Sequence, residues 1–180
     1  MEREFPVFPP PPRSWWTLAV LLGLPIAMVA WQIATDPPAN GADRTAQAVA
    51  ALAVSAAIGL CVSGLRRRRV VLRDGVLVVA AAMFTRRVPV ADLELERARV
   101  VDLEERTELR PSLKSFGMAL PGFQAGGFLL RNRRRGFCLL TGGRRALWLP
   151  AARQDLLLSL QRPQELLDAL RDMAPGRPPG

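Results

Sequence analysis

The chain has 180 residues, room for one modest folded domain beside a membrane segment but not for two large domains. It is basic, with a formal net charge of +9, and 49% of its residues are hydrophobic against 23% charged. Histidine and tyrosine are absent, which removes the commonest general base at neutral pH and the commonest transition-metal ligand; the two cysteines, Cys61 and Cys138, make no recognisable zinc site, so no metal or other cofactor is expected.

Residues 1–13, MEREFPVFPPPPR, are proline-rich and nearly charge-balanced, and read as a short tail. Residues 14–35 carry no charge and are long enough to cross a hydrocarbon core of about 30 Å as a helix. Trp15, Trp16 and Trp31 sit near the two ends, where amphipathic rings settle at headgroup level, and Pro25 in the middle is tolerated with a local kink. The run is longer than the apolar region of a cleaved signal peptide. Residues 36–44, DPPANGADR, read as a tight external turn. Residues 45–65 form a second uncharged run, rich in the small residues that let helix backbones approach closely. Arg66, Arg67, Arg68 and Arg69 abut this second run. By the positive-inside rule they place everything after them in the cytoplasm, with the N-terminal tail on the same side, and they are candidates to touch lipid headgroups.

From Val70 the texture changes to short apolar runs. Residues 70–72 and 76–79 flank Arg73-Asp74-Gly75, a hairpin signal because Asp-Gly suits the positive φ angles of a tight turn. Further strands are expected at 87–90, 97–103, 127–131, 136–141 and 146–150, with a last apolar run at 156–160. Polar turns are expected at 132–135 and 142–145. Residues 163–173 place Leu166, Leu167 and Leu170 on one helical face, with Pro163 suited to a first turn. Pro175, Pro178 and Pro179 stop the helix, leaving 174–180 as a disordered tail. About seven short strands followed by one amphipathic helix predict a small curved sheet or barrel capped by that helix.

This pattern, with Leu120-Pro121-Gly122-Phe123 and Gly126 inside it, resembles the bacterial pleckstrin-homology (PH)-like domains that follow two membrane helices. The matching pieces are 70–79, 86–90 leading into Ala91-Asp92-Leu93-Glu94, 97–103, 117–127, and Leu158-Ser159 before the final helix. The resemblance implies a transmembrane helical hairpin followed by a PH-like domain over residues 66–173, in the bacterial inner membrane with both termini cytoplasmic. Phosphoinositide binding is not carried over, because the basic pattern around the first hairpin is incomplete.

After Leu65 the chain holds 22 basic and 12 acidic residues. No stacking platform or helix-turn-helix pattern accompanies them, so nucleic acid is not the expected partner; an anionic membrane surface attracts such charge at about 1 kcal/mol per basic residue. With a single lysine, Lys114, among the basic residues, an arginine alone is weak ground for a ligand. Ser112, Lys114 and Ser115 invite comparison with Ser–Lys nucleophile chemistry, which needs a desolvated lysine, whereas 111–117 reads as an exposed loop. In 115–127, Phe116, Leu120 and Phe123 are apolar residues set among glycines; either they close the core beneath a long loop or they dock a partner. The leading expectation is a non-enzymatic membrane-anchored adaptor or regulatory module acting on another membrane protein, with Phe116, Leu120 and Phe123 as its contacts. The alternatives are an anionic-lipid surface module and an enzyme using the Ser/Lys pair.

Overall fold

The computed structural model describes residues 2–35 and 41–174. The two uncharged runs fold as helices α1, Pro12–Thr35, and α2, Gly41–Arg66. Each is long and apolar enough to cross a membrane by length and composition, and only 11% of the most apolar stretch of each is buried. Residues 36–40 of the expected connector and 175–180 of the expected tail lie outside the described residues.

Among the described residues the chain builds ten strands: β1 Glu2–Phe5, β2 Arg68–Arg73, β3 Val76–Ala81, β4 Phe84–Pro89, β5 Arg99–Asp102, β6 Pro111–Leu120, β7 Phe123–Leu130, β8 Arg135–Leu140, β9 Arg145–Leu149 and β10 Asp155–Leu158. Helix α3, Pro163–Asp172, ends the fold. The β2–β3 hairpin forms where Asp74 and Gly75 take positive φ angles of 49° and 72°. Two elements differ from the sequence expectation. Residues 2–5 are a strand rather than a free tail, and 111–120 are a strand rather than a loop.

The expected PH-like architecture is not what the chain builds. The strands form a four-stranded sheet, β1-β2-β3-β4, and a six-stranded sheet, β5-β9-β10-β8-β7-β6, among the described residues. Both are open: β1 and β4 are the edges of the first, β5 and β6 of the second, and neither is closed or curled into a barrel. Among the described residues no ladder joins β1 to β4 or β5 to β6, so neither sheet closes; β10 instead inserts between β8 and β9, parallel to the first and antiparallel to the second. The C-terminal helix therefore caps no barrel end. It lays Leu166, Leu167, Ala169 and Leu170 into the core. The transmembrane and PH-domain descriptions narrow accordingly to a mixed α/β fold with two long, weakly apolar helices.

Period-two alternation sends the side chains of the larger sheet into two apolar clusters. Phe137, Leu139, Leu147, Leu149, Leu156 and Leu158 join the main core with β2, β3 and α3. Cys138, Leu140, Ala146, Trp148 and Leu157 point to the opposite face, where Val101, Leu103 and Leu109 cover them. On this second face sits a buried polar centre. The Asp155 carboxylate accepts bonds from Arg134 Nη2 (2.7 Å) and Trp148 Nε1 (3.1 Å), and from the backbone N–H of Ala151 (3.4 Å).

Candidate functional site

The helices meet the sheets at one place, and local chemistry explains how. Residues 6–11 lead from β1 to α1, and Pro11 and Arg13 lie against Gly122 and Gly142, whose positive φ angles of 79° and 78° and missing Cβ atoms make room. Ser14, fully buried, donates its Oγ–H to Pro121 O at 2.9 Å. Leu18 and Leu22 of α1, with Cys61, Val62 and Leu65 of α2, complete the main core. At the other helix, Gly64 allows Met118 and Ala82 to approach, and Ala82 N–H donates to Arg67 O at 3.0 Å. Beyond this contact zone the helices expose Leu21, Leu24, Met28, Trp31, Val49 and Leu52.

Of the four arginines after α2, Arg66 closes the helix and is exposed, and Arg67 reaches Thr85 Oγ1 at 3.5 Å. Arg68 is half-buried on β2, and burial lowers its guanidinium from the ordinary value. Arg69 forms a bidentate pair with Glu4 on β1 through Nε and Nη2, at 2.9 and 2.8 Å. Arg69 is thus committed partly to the fold. The hydrogen bond from Arg69, and secondarily its charge, hold the Glu4 carboxyl below its ordinary value.

The structure separates the three apolar candidates. Phe123 is fully buried in the core, and Leu120 packs partly against it. Phe116, on edge strand β6, is 43% exposed and rests on Phe84 with ring centroids 5.0 Å apart. A tight Pro121-Gly122 turn replaces the expected long loop, so Phe116 and Phe123 sit on adjacent strands rather than in one patch. Ser112, Lys114 and Ser115 are exposed on β6, and among the described residues no hydrogen bond joins the lysine to either serine. Cys138 is buried, which pushes its thiol far up, and Cys61 is half-buried; both are free. Among the described residues no cluster of His, Cys, Asp and Glu fits a metal ion.

Sequence reading missed a cavity of about 510 Å³ between the edge strand of the small sheet and the face of the large one. It is lined by Arg86 of β4, Ser115 and Phe116 of β6, Phe128 of β7, Arg135 of β8, and the Arg153-Gln154 pair before β10. Arg86 was visible only as part of a strand, and Arg135 only as part of a polar turn. Their convergence depends on the pairing order of the two sheets, which no local pattern encodes.

Compared with protein-family models, with curated proteins and with solved structures, the chain matches none.

Proposed function

We propose that the protein is a non-enzymatic, membrane-anchored regulatory module. The helix pair lies in a bacterial inner membrane, and the two-sheet domain stands on its cytoplasmic face and acts on another membrane protein. One observation carries this reading: β1, before the helices, pairs with β2, after them, Glu2 opposite Arg73 through Phe5 opposite Val70. Both ends of the helix pair are therefore held in one sheet, which requires the pair to leave and re-join the domain on the same side. The exposed apolar helix surface beyond that junction is costly in water and favourable in lipid. The arginines after α2 favour the cytoplasmic side.

The test is thiol labelling of intact cells with a membrane-impermeant reagent. A cysteine placed at Asn40 in a Cys61→Ala background should label from outside, and one placed at exposed Arg153 should label only after lysis. The reverse pattern, or recovery of the full chain in the soluble fraction, would overturn the reading. A second reading, a module that binds anionic lipid surfaces, is favoured by one feature: the basic cavity between the two sheets.

A further inference from the structure

We infer that the cavity between the sheets is a binding site for a phosphate-bearing anion, taken by Arg86, Arg135 and Arg153. Three guanidiniums from three separate elements line it, and none of its lining residues is acidic. Among the described residues, none of the three makes a salt bridge, whereas eight other arginines do. The nearest carboxylate in sequence, Asp155, is already occupied by Arg134, Trp148 and Ala151. Other exposed arginines, Arg87, Arg133 and Arg145 among them, also make no salt bridge among the described residues, so what distinguishes these three is their convergence on one cavity without an acidic neighbour.

A second observation points to a ligand. Arg86 is half-buried, and its Nε is shielded from solvent with no hydrogen-bond partner. A buried unpaired donor on a charged group is destabilising, and an anion supplies the missing acceptor. Guanidinium matches phosphate oxygens in geometry as well as charge. Ser115 and Gln154 add neutral donors at the same cavity, and Gly127 keeps one wall flat: a Cβ there would fall 2.3 Å from the Phe116 ring. Phe116 and Phe128 give the site an apolar side.

Two sources share this chemistry, a lipid phosphate headgroup and a soluble phosphate ester. Phe116 precedes Met118, which touches the end of α2, by two residues, about 7 Å of extended strand. A headgroup is therefore within reach if the helices lie in a bilayer, and only this lipid arm rests on the proposed membrane anchoring.

The experiment follows the thermal unfolding midpoint of the full chain in phosphatidylcholine nanodiscs, because a ligand that binds the folded state raises it. Pyrophosphate is added in one series, and phosphatidylglycerol is included in the bilayer in another. The variants are Arg153→Gln and Arg135→Gln, both at exposed positions, with Arg131→Gln as an exposed arginine outside the cavity. Pyrophosphate should raise the wild-type and Arg131→Gln midpoints alike. Each cavity variant should need about tenfold more pyrophosphate for the same rise, the loss of one charge-assisted contact. If phosphatidylglycerol shows the same selectivity, the ligand is a lipid headgroup; if pyrophosphate alone shows it, the ligand is a soluble phosphate. No rise with either, or equal loss in Arg131→Gln and the cavity variants, would overturn the site in favour of diffuse surface charge. Because pyrophosphate binding is indifferent to where the helices sit, its failure is distinct from a failed anchoring test.

Discussion

Glu4 and Arg69 stand 65 positions apart, on opposite sides of both long helices, yet their side chains meet in a bidentate pair at 2.8 and 2.9 Å. The pair clamps β1 onto β2 and so fixes where the helix pair begins and ends. Both partners are half-exposed or more, so the contribution is modest, at most about 1 kcal/mol after solvent screening. Glu4→Gln is expected to increase hydrogen exchange at the amides of β1 and leave those of β7 and β8 unchanged. The clamp also has a pH sense. A carboxylate whose folded value is depressed stabilises fully above its unfolded value and loses that stability as pH falls through the folded one. Protection in β1, taken relative to the intrinsic exchange rate at each pH, should therefore fall as pH drops below 4.5, and Glu4→Gln should remove that step.

The Asp155 centre should respond asymmetrically to its two partners. Arg134→Ala leaves a fully buried carboxylate without its cation and is expected to cost about 3–5 kcal/mol. Asp155→Asn keeps an acceptor for Trp148 and leaves Arg134 partly in water, so its cost should be nearer 1–2 kcal/mol, the scale of one weakened hydrogen bond. Denaturant unfolding of the two variants measures both, and equal costs would refute this account.

The two phenylalanines of the β6–β7 hairpin should part company. Phe123→Ala empties a fully buried site and should cost about 3–5 kcal/mol. Phe116→Ala should cost about 1 kcal/mol or less, since the ring is half in solvent and contributes its contacts with Phe84 and with the backbone at Gly127. A large loss at Phe116 would show that it is as much core as Phe123.

Gly117 and Gly126 face each other across the β6–β7 ladder, both with positive φ, at 114° and 128°. A Cβ on Gly126 would lie 2.5 Å from Phe116 O, against backbone that cannot swing away. Gly126→Ala is expected to cost about 1–3 kcal/mol in strain alone and to displace Phe116 from the cavity it lines. Unfolding midpoints, with exchange at the β6 amides, check this.

Leu52 is exposed on α2, at 72%. If that surface faces lipid, Leu52→Arg should oppose insertion by about 3 kcal/mol and lower the membrane-bound fraction. If it faces water, the change is neutral. Fractionation of cells producing the two forms separates these results.

Much of the local structure was legible from residue order alone. The uncharged runs marked both helices, Asp74-Gly75 marked a hairpin, and the spacing of Leu166, Leu167 and Leu170 marked α3. Two strands escaped notice for identifiable reasons. In β1 the residues EREF are mostly charged, and pairing with β2 is what makes them a strand. In β6 a glycine and two register shifts erase the alternation that would announce it.

The sequence by itself determined which segments are apolar on one face, on all faces or on none, because that information is carried by neighbours three or four positions apart in helices and two apart in strands. Tertiary structure alone decided which strands pair, that both sheets stay open, and that Phe123 is buried while Phe116 is not. It alone brought Arg86, Arg135 and Arg153 to one cavity. Pairing between distant strands is set by how whole faces fit against one another, and β10 settling between β8 and β9 is a choice no short stretch of chain contains.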